Sequence, residues 1–193
     1  MATMSGELSG RTVAFLIAPE GTEQVELTEP WQAVTEAGGT PRLVSTADGK
    51  AQLFDHLDRG ETRDVDVTVA QTSADEYNAL VLPGGVANPD FLRTDPDAVA
   101  FVDAFFAAGK PVAVICHGPW TIVEANRVRG RTLTSWPSVR TDIVNAGGHW
   151  VDEPVVVCED GPNLLISSRK PDDLTPFCQT LVQRFATLTA GNT

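Results

Sequence analysis

The feature that most constrains this chain is a recurring alternation. Short stretches that are almost wholly apolar are each followed by a segment with helical spacing. A stretch apolar at successive positions, rather than at every second one, is what a strand covered on both faces requires. Thr12-Val-Ala-Phe-Leu-Ile-Ala18, Ala79-Leu-Val-Leu-Pro83 and the run from Pro111 to Ile115 have this character, and Arg42-Leu-Val-Ser45 is a shorter strand of the same kind. Three later strands are expected at Thr132-Leu-Thr-Ser135, Val155-Val-Val157 and Leu164-Leu-Ile166.

The intervening spacing predicts a helix over residues 21–38, with Val25, Trp31 and Val34 inward and Gly38-Gly39 at its end. Pro30 sits inside this segment, so the regular helix is expected to begin there or to bend. A second helix runs to about Ala108, capped by Asp95 or Asp97, with Val99, Phe101, Val102, Phe105 and Phe106 on its inner face. Further helices are expected up to Asn126, over residues 138–146 and over residues 171–187. Residues 46–77 lack a clear period and are read as a short hairpin and excursion around Val65-Asp-Val-Thr-Val69. Strand-helix alternation of this kind implies an α/β, flavodoxin-like three-layer sandwich, a mainly parallel sheet with helices on both faces. With no linker composition and no repeat, the 193 residues are read as one domain.

Charge and cysteine usage narrow the function classes. A formal net charge of −12 repels phosphate backbones and anionic lipid, so neither nucleic acid nor a membrane is expected as partner. The N-terminal stretch MATMSGELSGR has no apolar core of the kind a secretory signal needs. Three cysteines, Cys116, Cys158 and Cys178, have no CxxC spacing, which argues against a disulfide framework or structural zinc and for a reducing, cytoplasmic setting. No metal and no cofactor are expected, since no His, Cys and carboxylate set has ligand spacing and neither GxGxxG nor GxxxxGK[ST] occurs.

In a doubly wound sheet, ligands bind beyond the carboxyl ends of the strands. Cys116 sits there, in Val112-Ala-Val-Ile-Cys-His-Gly-Pro-Trp120, between a buried strand and a helix. That is the position of a nucleophile elbow, and Gly118 and Pro119 suit the turn and the first helical residue. A helix N-terminus favours thiolate, and the N–H of His117 can hold an oxyanion. Cys158 and Cys178 lack both elbow and adjacent base and are read as core residues. His117 is the histidine beside the nucleophile and a candidate base, whereas His56 and His149 are read as surface residues. Glu23 and Glu26 follow the first strand. A partly buried Glu26 would keep its proton and hydrogen-bond the sulfur. Gly84 and Gly85 read either as a strand-exit turn or as the N–H groups of the second half of an oxyanion site, and Trp120 and Trp136 are expected to make the pocket narrow, which favours small carbonyls.

These residues together resemble the ThiJ/PfpI superfamily, and most closely its PfpI branch of bacterial and archaeal stress proteins. The resemblance rests on Glu20-Gly-Thr-Glu-Gln-Val-Glu-Leu-Thr-Glu-Pro30, Leu82-Pro-Gly-Gly85 and Ala113-Val-Ile-Cys-His-Gly-Pro119. Arg129-Gly-Arg-Thr-Leu-Thr134, Thr141-Asp-Ile-Val-Asn-Ala-Gly147, Asp152-Glu-Pro-Val-Val156 and Ser168-Arg-Lys-Pro-Asp-Asp-Leu174 extend it, so that it runs over residues 11–187. The resemblance implies a homodimer or higher homo-oligomer with Cys116 as nucleophile and Glu26 as the carboxylate on its thiol. It also implies an oxyanion site at Gly85 and His117, and a triad in which an acidic residue of a neighbouring subunit supports His117. Asp90 is the nearest match to that acid, in a loop one residue longer than in some relatives. The activities it implies are peptidase, cofactor-independent glyoxalase and protein deglycase. Of these, aldehyde chemistry needs only a nucleophile, a proton carrier and an oxyanion site.

Two other classes compete. A redox or oxidative-stress sensor would use the same accessible thiolate without turnover, by oxidation to sulfenic and sulfinic acid. A class I glutamine amidotransferase shares the elbow but needs a His-x-Glu pair, and His149-Trp-Val151 lacks the glutamate.

Overall fold

The apolar runs of the sequence form the middle of one sheet in the computed structural model, which describes residues 6–187. The first five residues, part of the stretch read for a signal, and residues 188–193 lie outside the described residues. In chain order the elements are β1 (Thr12–Ile17), β2 (Glu20–Glu23), α1 (Gln24–Glu36), β3 (Thr40–Ser45), β4 (Lys50–Asp55) and β5 (Asp58–Asp64). Next come β6 (Val67–Thr68), β7 (Ala79–Leu82), α2 (Ala87–Leu92), α3 (Pro96–Ala107), β8 (Val112–Ile115) and α4 (Pro119–Glu124). The chain continues with β9 (Thr132–Leu133), α5 (Arg140–Asn145), β10 (His149–Trp150), β11 (Val155–Cys158), β12 (Leu165–Ser168) and α6 (Leu174–Thr187).

The central sheet has the order β11-β12-β8-β7-β1-β3-β6, parallel except for the β11 edge, and helices cover both faces. This is the α/β sandwich expected. Side-chain alternation divides each buried strand between two cores. Val13, Phe15 and Ile17 pack toward α1 and α6, while Ala14 and Leu16 pack toward α3 and α4. Each large side chain removed from water in this way contributes about 1.5–3 kcal/mol. The parallel strands end on one side, and β1, β7 and β8, in the centre, deliver their following residues to one place.

Four expectations need correction. The helix after β1 begins at Gln24 and continues through Pro30, because Glu20–Glu23 is drawn into a second sheet, β2-β4-β5. The hairpin in residues 46–77 is β4–β5, ahead of Val65, and Val67–Thr68 is an edge strand of the main sheet. Residues 132 and 133 pair with β10 in a two-stranded sheet of their own rather than entering the central one. On α3, capped by Asp95 through Asp97 N and Ala98 N at 3.0 and 2.9 Å, Ala98 takes the buried position expected for Val99, which is half-buried. No described helix is long and apolar enough to cross a membrane.

Candidate active site

Cys116 is held in the left-handed region, φ 63°, between β8 and α4. A non-glycine residue there costs about 1–2 kcal/mol. Three backbone bonds hold it: Cys116 N donates to Ser168 O at 3.1 Å, Gly118 N to Ile115 O at 2.9 Å, and Trp136 N to Cys116 O at 2.9 Å. The turn also needs glycine at position 118, where a Cβ would lie 2.7 Å from Val114 Cγ2 and 2.9 Å from the carbonyl oxygens of Ile115 and Leu82. The elbow expected from Cys-His-Gly-Pro is therefore present, with the sulfur on the floor of a cleft of about 610 Å³.

Glu26, fully buried in the first turn of α1, brings its carboxyl against this thiol. Its Oε2 accepts from Gly84 N at 2.8 Å, while Oε1 has no conventional hydrogen-bond partner. A Cβ on Gly84 would lie 2.4 Å from Oε2 and 2.7 Å from Cys116 Cβ, so only glycine lets loop, acid and thiol converge. The Gly84 N–H is thus occupied by Glu26 and is not an oxyanion donor. The N–H groups of Gly85 and His117 lie near enough to the sulfur to favour its charged form, and that of Gly85 acts on the Glu26 carboxyl as well, so these two are the candidates for that role. Asn88, unremarked in the sequence, fixes this loop: buried on α2, its Nδ2 donates to the carbonyls of Pro83 and Gly84 at 3.1 and 3.0 Å, and its Oδ1 accepts from Ala18 N at 2.7 Å.

Burial, aided by Glu23 nearby, pushes the Glu26 carboxyl up to about 8, so it keeps its proton at neutral pH. Burial also pushes the Cys116 thiol up, and an ionised Glu26 pushes it further. The expectation of a dipole-favoured thiolate is corrected here. The helix after the elbow is only six residues long, and desolvation outweighs it. A thiol and a carboxyl this close and dry share a single negative charge at most, and a protonated Glu26 is the donor that lets the sulfur carry it.

The elbow also turns His117 back toward its neighbour, with Nδ1 3.2 Å from Cys116 Sγ. Nε2 lies 3.4 Å from Ser138 Oγ, and burial lowers the imidazole pKa, so the ring is neutral and suited to accept a proton. Ser138 is an orienting group that nothing in the sequence singles out. Asp90 is exposed on α2 and is not among the partners of His117 within one chain. Trp136 stacks on the imidazole, centroids 5.7 Å apart, and lines the cleft. Trp120 packs edge-on to His117 from behind and donates from Nε1 to Asp142 at 2.9 Å, so it supports the histidine rather than lining the pocket.

Of the two tryptophans expected to narrow the cleft, Trp136 lines it and Trp120 does not. The far wall of the cleft is the β4–β5 hairpin, which contributes Phe54, His56, Leu57 and Arg59. His56 is exposed, as expected, and its backbone N–H donates to the Glu23 carboxylate at 3.1 Å. Cys158 and His149 lie outside the lining, and Cys178, on α6, is pushed up to about 12 by burial.

A left-handed cysteine after a central parallel strand, with a buried glutamic acid and two backbone N–H groups at its sulfur, defines a cysteine-elbow α/β sandwich. The sequence matches the DJ-1/PfpI family over residues 11–184, and the chain belongs to that family. It is 40% identical over 175 residues to a deglycase of Pyrococcus horikoshii, covering 89% of this chain and 97% of that one. General stress protein 18 of Bacillus subtilis is 39% identical over 155 residues, 80% of this chain and 87% of the relative. Among solved structures, Drosophila melanogaster DJ-1beta superposes with a TM-score of 0.79 at 25% identity, over 91% of this chain and 90% of the other.

Proposed function

We propose that this protein is a cysteine-dependent enzyme acting on reactive carbonyls, of the glyoxalase or deglycase kind, with Cys116 as nucleophile. The observation that carries the reading is the convergence on one sulfur of a neutral imidazole, a protonated carboxyl and two N–H donors, at the floor of an open cleft. His117 Nδ1 takes the thiol proton, and the thiolate adds to the aldehyde carbon. The new oxygen, held by the Gly85 and His117 N–H groups, gains a proton to complete a hemithioacetal. For methylglyoxal, the proton on the former aldehyde carbon is then moved to the adjacent carbon by His117, neutral again once the oxyanion is protonated, while the protonated Glu26 stays on the sulfur. This gives a lactoyl thioester through an enediol, and water releases lactate and restores the thiol. Names carried by relatives, a deglycase and a general stress protein, are consistent with carbonyl defence. Weak peptidase activity would use the same nucleophile.

A homodimer or higher homo-oligomer belongs to this reading. Val86 and Phe91 are exposed on either side of Asp90, an apolar surface on which a second copy would bring its Asp90 toward His117. A second function rests on one specific observation, the unpartnered Glu26 Oε1 beside a cleft-facing sulfur. It could accept or donate a hydrogen bond to a sulfinic oxygen, as an oxidation sensor needs. The deciding experiment assays wild type, Cys116→Ala and Glu26→Gln for methylglyoxal loss, peptide cleavage and peroxide-dependent mass gain. Carbonyl turnover absent in Cys116→Ala supports the enzyme. Selective oxidation of Cys116 with no turnover selects the sensor.

A further inference from the structure

At the rim of the cleft a second group of side chains converges that the carbonyl chemistry does not use. Strands β2 and β4 run parallel with Glu23 in register with Phe54, so the next two residues, Asp55 and His56, emerge beside the Glu23 carboxylate. One ligand atom from each of the three lies within 4.8 Å of the others, and His56 Nδ1 is 3.6 Å from Glu23 Oε2. Two donors bound at about 2.1 Å to one tetrahedral ion stand about 3.4 Å apart. The imidazole and Glu23 are therefore already near ligand spacing, and Asp55 needs only a side-chain adjustment.

Charge gives an independent reason. Glu23 is 8% exposed, and the group it ion-pairs with among the described residues is His56, a cation only when protonated. A carboxylate this buried is ordinarily matched by a cation or a metal. Every other ion pair of the described residues joins an arginine or lysine to its acid. One imidazole and two carboxylates suit zinc and its first-row neighbours, whereas calcium and magnesium favour all-oxygen sets. The geometry points to a divalent-cation site, selective for Zn²⁺ over Mg²⁺ and Ca²⁺, formed by Glu23, Asp55 and His56. The bound ion ties the tip of the β4–β5 hairpin to β2 across the mouth of the cleft. Three protein ligands leave a tetrahedral ion one position for water.

The test must separate this site from the thiol, itself a zinc ligand. Titration calorimetry with Zn²⁺ on the full-length Cys116→Ser protein, under a non-thiol reductant, is expected to give one site per chain. Its affinity should be at least about tenfold lower in Cys116→Ser proteins that also carry His56→Gly or Asp55→Asn, the usual loss for a removed ligand or its support. Millimolar Mg²⁺ should not compete. His56→Gly is the informative variant because His56 has φ 55°, which glycine adopts freely, so its metal-free melting temperature should match or exceed that of its parent. Co²⁺ bound in place of Zn²⁺ should show tetrahedral visible absorption that His56→Gly abolishes. No saturable binding by Cys116→Ser, or undiminished binding after His56→Gly in a folded protein, overturns the site. So does zinc binding that disappears with Cys116 alone.

Discussion

Cys116 and Cys158 are both nearly dry, 6% and 3% exposed, yet their surroundings ask opposite things of the sulfur. At Cys158, Arg131 Nε and Thr132 N each donate to Sγ at 3.4 Å, and the guanidinium continues to the carbonyls of Cys158 and Asn163 and to Asn163 Oδ1. The sulfur is one acceptor in a closed corner that satisfies a buried arginine. At Cys116 the backbone is left-handed, the sulfur opens on a cleft, and the groups beside it carry or accept protons. Burial does not distinguish a reactive thiol from a structural one. Access and a proton-handling neighbour do.

The largest effect that sharpens this contrast is on turnover. Cys116→Ala should lower kcat/KM for methylglyoxal by about a thousandfold or more, and Cys158→Ala should leave it within about twofold. Steady-state assays of the two variants side by side decide it, and comparable losses would break the comparison. Stability should reverse the order. Arg131→Leu, which strands the Asn163 and Cys158 carbonyls, should cost about 3 kcal/mol in urea unfolding, and Cys158→Ala about 1–2, whereas Cys116→Ala should stay within about 1 kcal/mol.

Glu26 gives a pH signature that the Cys158 corner lacks. Its pKa rises from 4.5 to about 8 on folding, so the native state holds a proton that the unfolded chain releases above 4.5. Wild-type stability should therefore fall as pH rises through that window, by up to about 1.4 kcal/mol per unit, while Glu26→Gln carries no such slope. The stability of Glu26→Gln relative to wild type should climb from pH 5 to 8 and then level off. A flat difference would mean that the carboxyl is ionised in the native state. The smallest effect is expected at the cleft wall: Trp136→Ala should raise KM about three- to tenfold with kcat changed less, since the ring both stacks on His117 and lines the cleft.

Much of the central sheet was legible because β1, β7 and β8 are apolar at consecutive positions, a pattern that only two-sided burial produces. Cys116, Glu26 and Gly85 were legible because each follows one of these strands. Residues 46–77 were not, since β5 is polar throughout and buries no apolar side chain against β4, leaving no hydrophobic period to detect. Asn88 and Ser138 were hidden for a related reason: Asn88 ties its own loop to Ala18 N, 70 residues away, and Ser138 meets His117 across 21 residues, and short-range spacing carries no trace of such pairings.

The sequence by itself determined that Cys116 stands at an elbow and that a glutamate and a glycine pair would lie near it. Strand ends in a parallel sheet share one edge wherever the fold forms. Only the tertiary structure decided what those neighbours do. It buried Glu26 completely and so kept its proton, gave the Gly84 N–H to that carboxyl, turned His117 onto the sulfur and placed Trp120 behind it. It also carried the hairpin tip to Glu23. Solvent exclusion and through-space distance set proton affinities and ligand sets, and neither is written in the order of residues along the chain.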